Sequence, residues 1–183
     1  MQNSKRLGAV AVSAALIAAA LATPALADRA EKVGDESGER GPIRVIFVCT
    51  GNSARSQMAE AFARQHGLEA ESAGTMPAAE VSKGAILAMR EKGLDISSHK
   101  PKRVDFNRLA DFEQIVCMGP GVAATSPDLH FHEDWGIDDP VNMDFAIYRR
   151  VRDEIEAKVR ALAIEIREWS SAHSDYEEAF VAT

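Results

Sequence analysis

The residues best suited to chemistry are consecutive: Cys49-Thr50-Gly51-Asn52-Ser53-Ala54-Arg55-Ser56. A cysteine thiolate is a strong nucleophile at neutral pH, provided nearby donors favour it over the thiol. Arg55, six positions later, can bring its guanidinium fork back onto two oxygens of a tetrahedral anion. Between them, Gly51 and Asn52 are residue types that tolerate the left-handed backbone of a tight loop. In such a loop the backbone N–H groups of Thr50, Gly51, Asn52, Ser53, Ala54, Arg55 and Ser56 can converge on a bound anion. Ser56 offers the sulfur one more hydrogen bond, and the Asn52 side chain is assigned to stiffening the loop rather than to substrate. The implied reaction is in-line attack of Cys49 on the central atom of an oxyanion held by the loop and Arg55.

Cysteine and arginine at this spacing occur by chance in many chains, so their setting carries the weight. Ile43 to Val48 (IRVIFV) reads as a short strand buried on both faces. Ser56 to His66 follows as a helix, with Met58 and Phe62 at helical spacing. The loop thus joins a strand end to a helix N-terminus, where the helix dipole favours negative charge. Ala70 to Ala73 and Gln114 to Met118 are further strand candidates. Val81 to Lys92 is predicted helical, with Val81, Ala85, Ile86 and Met89 on one face and Gly93 as its stop, and Val104 to Asp111 is a brief helix candidate. From Phe145 to Trp169 the stripe Val151, Ile155, Val159, Leu162, Ile166 and Trp169 marks a long amphipathic helix. Strands alternating with helices predict a single α/β domain with a mainly parallel sheet, and in such sheets ligands bind beyond the strands' carboxyl ends.

The N-terminus has the three parts of a secretory signal peptide: Lys5 and Arg6, an uncharged Ala-rich run over Leu7 to Ala22, and Ala25-Leu26-Ala27. The run is short for a membrane span of about 20 residues. The expected organisation is a signal peptide over 1–27, a charged flexible leader over 28–41, the domain over 42–170 and a tail over 171–183. Export to a bacterial periplasm or secretion, with no stable membrane insertion after cleavage, is expected. The 183-residue chain has 21 basic and 28 acidic residues, a net charge of −7. Loss of Lys5 and Arg6 takes the mature chain to −9. That balance excludes general nucleic-acid binding and leaves any anion to be drawn by local donors. Cys49 and Cys117 are the two cysteines, and in an oxidising compartment a structural disulfide is the default alternative to a catalytic thiol.

The segment FVCTGNSARSQMAEA resembles the active site of the low-molecular-weight protein-tyrosine phosphatase superfamily. Ser-Gln-Met-Ala-Glu after Arg55 is closer to its thioredoxin-coupled arsenate reductase branch. The resemblance continues through Glu71 to Gly74 (ESAG), Gly93 to Lys100 (GLDISSHK), Trp135 to Pro140 (WGIDDP) and Arg149 to Val159 (RRVRDEIEAKV), and so spans about Ile43 to Ile166. It implies a four-stranded, mainly parallel sheet flanked by helices, with Cys49 as nucleophile, Arg55 as oxyanion clamp and Asp139, immediately before Pro140, as general acid. Asp138 is the rival for that last role. A proton donor is what an expelled phenolate or hydroxide requires.

The arsenate reductase pattern breaks in one place. Gly119 and Ser126 stand where that branch carries its two resolving cysteines, and Ala54 replaces a cysteine found in many relatives' loops. Cys117 lies two residues before the first of these positions, and residues i and i+2 of a strand share a side. It is therefore the candidate resolving thiol, with a small core residue as the other reading. If Cys117 does not serve, arsenate reduction needs an external thiol reductant, which export makes scarcer.

Two functions follow. The one the resemblance names is arsenate reductase-like, acting on arsenate. The other is a phosphotyrosine or phosphomonoester phosphatase, which needs only Cys49, Arg55, Asp139 and water. A non-catalytic oxyanion-binding module is the third class, and the intact nucleophile and acid argue against it. Neither cofactor nor metal is required. His130 and His132 form a pair without an evident third ligand. Trp135 is expected to pack beside the acid loop, and His99 and Lys100 have no assigned chemistry.

Overall fold

The computed structural model describes residues 42–181, with side chains through residue 171. The expected signal peptide and leader lie outside the described residues.

The apolar run after Pro42 forms strand β1 (Arg44–Cys49), and its last five residues are buried, as a central strand requires. Helix α1 (Arg55–Gln65) follows directly on the loop. Strand β2 (Glu69–Gly74), helix α2 (Lys83–Arg90) and a 3₁₀ helix (Phe106–Asp111) lead into strand β3 (Gln114–Cys117). Then come the single-turn helix α3 (Val122–Thr125), the two-residue strand β4 (Glu133–Asp134) and the long helix α4 (Phe145–Val181). The four strands form one sheet in the order β2-β1-β3-β4, and every pair is parallel. This is the α/β architecture that the alternating pattern predicted. β4 was not legible as a strand, because its two residues carry no β pattern of their own.

Strand alternation divides the core into two layers. Val45, Phe47 and Cys49 face a layer built with α1, α2 and α4 through Met58, Phe62, Met89, Val151, Ile155 and Val159. Ile46, Val48 and Cys117 face a smaller layer closed by Val104, Phe112, Val122 and Leu129. The expected stripe of α4 is buried from Val151 to Ile166. The helix does not end at Trp169, however; it runs on to Val181 where a tail was expected. That stretch contains no Gly or Pro to stop it, and its alanines and glutamates favour helix.

Helices α2 and α4 are clamped by Glu91, which accepts hydrogen bonds from Arg149 Nε at 3.0 Å and Arg152 Nη1 at 2.8 Å. Arg152 also donates to the Ala88 carbonyl at 2.9 Å, so one buried arginine ties α4 to the last turn of α2. The guanidinium hydrogen bonds, Arg149 first, hold the Glu91 carboxyl down at about 2 against an ordinary 4.5. A carboxyl lowered on folding stabilises the native state above its ordinary value, and that contribution disappears as the pH falls through the lowered one. Glu91→Gln should therefore melt below wild type at pH 6, and the difference should close between about pH 4.5 and pH 2. Melting curves across that range check it.

Gln114 is the misfit in the core. It is fully buried, and neither amide atom has a hydrogen-bond partner among the described residues. An unsatisfied buried polar group costs about 1–3 kcal/mol. Gln114→Met, which keeps the shape and removes both atoms, should raise stability by roughly that amount in equilibrium urea unfolding.

Candidate active site

The loop from Cys49 to Arg55 lies at the carboxyl end of β1, and its shape is set by where its carbonyls point. Thr75 N–H donates to the Cys49 carbonyl at 3.1 Å, Met76 N–H to Thr50 at 2.8 Å, and Ala78 N–H to Gly51 at 2.8 Å. Gln57 Nε2 donates to the Asn52 carbonyl at 3.1 Å. Ser82 N–H donates to Ser53 at 2.8 Å, and Met58 N–H to Ala54 at 2.9 Å. Every carbonyl from Cys49 to Ala54 is thus pulled outward. In a trans peptide the N–H points opposite to the C=O, so the amides of Thr50 through Arg55 turn toward the interior of the loop. The segment after β2, from Thr75 to Ser82, acts as a splint that makes the loop an anion nest.

The Cys49 sulfur is buried and lies 3.1 Å from the Asn52 N–H and 3.0 Å from Ser56 Oγ. The direction of the second bond follows from its neighbours. Lys102 N–H donates to Asn52 Oδ1 at 2.7 Å, so Asn52 Nδ2 faces the other way and donates to Ser56 Oγ and Ser72 Oγ, each at 2.9 Å. Ser56 Oγ accepts from Asn52 and keeps its own hydrogen for Cys49. The sulfur therefore receives two donors, the Asn52 N–H and the Ser56 hydroxyl. Behind them, Ser72 donates to the buried carboxylate of Glu60, and Gln57 Oε1 pairs with His99 Nδ1 at 2.8 Å. His99, which the sequence left without a task, thus supports the loop from outside.

Asn52, with φ of 45°, takes the left-handed conformation expected of the loop, whereas Gly51 is not among the residues with positive φ. The amide side chain of Asn52 locks that conformation from both ends. That side chain bonds within the loop surroundings, to Ser56, Ser72 and Lys102, whereas Gly51 does not use the conformational freedom the sequence suggested.

Arg55 is only 2% exposed. Its fork is spread between the Ile137 carbonyl, 3.1 Å from Nη1, and Asp139 Oδ2, 2.6 Å from Nη2. Asp139 is half exposed, and its second oxygen accepts the Val141 N–H at 3.2 Å. Asp138 turns away to pair with Arg150 at 2.9 Å. Of the two candidate acids, the fold brings Asp139 to Arg55 and leaves Asp138 on the surface. Trp135 packs in the core against Phe47, with ring centres 5.5 Å apart, and its indole N–H donates to Glu133 at 2.8 Å. His132 Nδ1 accepts the Ile115 N–H at 2.9 Å.

Cys117, the candidate resolving thiol, lies in the core layer opposite that of Cys49. Both cysteines are free and buried, so they form no disulfide. Val48 pairs with Cys117 across β1 and β3, and these two face the smaller core layer while Cys49 faces the other. The strand ends at Cys117, so the i, i+2 relation does not extend to residue 119, and the cross-strand register puts Cys117 on the far face of the sheet from Cys49. Burial pushes its thiol up to about 11, which keeps it protonated at neutral pH. Gly119, where a cysteine was sought, has φ of 119°, and a Cβ there would lie 2.6 Å from the backbone N and O of Ile137. No side chain fits at that position in this backbone.

A nucleophilic loop of this shape at the end of the first strand of a parallel four-stranded sheet defines a class of cysteine-dependent phosphatase-like enzymes. The chain belongs to the low molecular weight phosphotyrosine protein phosphatase family, whose model matches residues 44–172. It is 37% identical over 121 residues to an arsenate reductase of Staphylococcus aureus (strain Newman), an alignment covering 63% of this chain and 92% of that protein. Among solved structures it is similar to the YwlE arginine phosphatase from Geobacillus stearothermophilus, with TM-score 0.61 and 28% identity over 69% of this chain and 94% of that one. It is also similar to an arsenate reductase in the phosphate binding state, with TM-score 0.57 and 32% identity over 68% of this chain and 98% of that one.

The sequence missed Gln57, Glu60, Ser72 and the Thr75–Ser82 splint. Gln57 and Glu60 lie on α1 inside the motif itself, where their burial at 1% and 4% is the signal a polar pattern hides.

Proposed function

We propose that the protein is a phosphomonoesterase that works through a cysteinyl-phosphate on Cys49, resolved by water. The observation that carries this reading is the pairing of Arg55 with Asp139 beside a doubly hydrogen-bonded Cys49 sulfur, with no second thiol on that face of the sheet. The substrate's phosphoryl oxygens occupy the inward amides and take over the fork of Arg55. That exchange frees Asp139 Oδ2, and the released carboxyl takes a proton from solvent and gives it to the leaving oxygen. Cys49 Sγ forms the S–P bond as the P–O bond to the leaving group breaks. Water then attacks phosphorus and gives its proton to the Asp139 carboxylate, the S–P bond breaks, and the thiolate returns to the hydrogen bonds of Ser56 and Asn52.

The 37% identity to an arsenate reductase favours a second reading of the same site. In it Cys49 forms an S–As bond to arsenate as an As–O bond breaks and water leaves; an external thiol then attacks the sulfur of the adduct, so that arsenic leaves as arsenite and a mixed disulfide forms. Cys117 takes part in neither reading. Cys117→Ser should retain aryl-phosphate hydrolysis within about twofold of wild type, and any arsenite formation should require added thiol in both proteins. Loss of hydrolysis in Cys117→Ser, or arsenite formed by wild type without added thiol, would place Cys117 in the reaction. The signal sequence over 1–27 supports export, and a periplasmic or secreted location is part of the proposal; cell fractionation tests it.

A further inference from the structure

Two local rules are broken together at the start of α2. Ser82 is the N-cap, where a serine oxygen ordinarily accepts a helix N–H, yet its side chain makes no capping bond. Its Oγ instead lies 2.7 Å from the hydroxyl of Tyr148 on α4. Two residues later Gly84 sits inside the helix, where alanine is ordinarily the better helix former. A Cβ at residue 84 would lie 2.5 Å from the Tyr148 ring. Both departures serve one contact: the missing side chain admits the ring, and the diverted serine receives its hydroxyl. Tyr148 itself is nearly buried, so this is a built contact.

Ser82 is also the last residue of the splint. Its N–H holds the Ser53 carbonyl at 2.8 Å, and that bond turns the Ala54 N–H into the anion nest. We infer that Tyr148 is a positioning residue for the oxyanion site, acting through Ser82 on the Ser53–Ala54 peptide. The inference rests on the reading of the loop as an oxyanion site. Helix α4 thereby sets the aim of one of the loop's amides, although no residue of α4 belongs to the loop.

Removing the hydroxyl releases Ser82 from α4, so its N–H holds the Ser53 carbonyl less firmly, while the Ser82 hydroxyl, which is only partly buried, turns to solvent. In Tyr148→Phe the dissociation constant for inorganic phosphate, measured by titration calorimetry, should rise about five- to tenfold. KM for an aryl phosphate should rise in step while kcat changes less, because the Ala54 amide holds the phosphoryl group in both ground and transition states. The melting temperature should stay at the wild-type value. Ser82→Ala should show the same loss of affinity, and the double variant no more than either single one. Unchanged phosphate affinity in both single variants overturns the inference, as does a loss that only follows a fall in melting temperature. Wild-type protein that binds no phosphate would instead overturn the reading of the loop itself.

Discussion

Cys49→Ser should bind inorganic phosphate within a few-fold of wild type and turn over at least about 10⁴-fold more slowly. The two halves of this result have different origins. Affinity comes from the inward amides of Thr50 through Arg55 and from the Arg55 fork, and neither depends on the sulfur. Turnover depends on a sulfur that can both attack phosphorus and leave it again, and a serine oxygen does each of these far less readily. Asn52 N–H and Ser56 Oγ can hydrogen-bond a serine oxygen as they do the sulfur, so the loop should keep its shape. Phosphate titration and aryl-phosphate kinetics on the same preparation check both parts. Retained turnover would remove Cys49 from the mechanism.

The second large effect is expected at Asp139. Asp139→Asn keeps a side chain of the same shape beside Arg55 but cannot supply a proton. General-acid catalysis contributes about 10²- to 10⁴-fold, so kcat for an alkyl phosphate should fall by that factor. For an aryl phosphate with an acidic phenol the fall should be far smaller, because that leaving group departs without a proton. This dependence on the leaving group separates an acid from a residue that only holds Arg55. An equal loss on every substrate would mean that Asp139 acts through its 2.6 Å contact with Arg55 and not as the proton donor.

The β1–loop–α1 unit was legible because it is local. A buried apolar run, a Gly-Asn turn and an amphipathic helix are adjacent in sequence, so spacing alone brought Cys49 and Arg55 together. The partner of Arg55 lies more than eighty residues away, and Asp139 was reached by resemblance, not by spacing. The face occupied by Cys117 was not legible, because it depends on the register of β3 against β1, which no local pattern encodes. The Thr75–Ser82 splint escaped for a related reason: it contributes backbone N–H groups, and these leave no trace in residue type. Gly119 reads in the sequence as a lost cysteine, whereas in the fold it is a position with no room for a Cβ. The extension of α4 to Val181 was hidden by the polar character of that segment, which resembles a tail although it contains no helix breaker.

The most direct test of the central claim is rapid acid quench of the protein during aryl-phosphate turnover, with intact mass and peptide mapping of the quenched chain. A cysteinyl-phosphate mechanism predicts one phosphoryl group per chain, on the peptide that contains Cys49, in wild type and in Cys117→Ser alike, and none in Cys49→Ser. Turnover with phosphate on another residue, or undiminished turnover in Cys49→Ser, would contradict it.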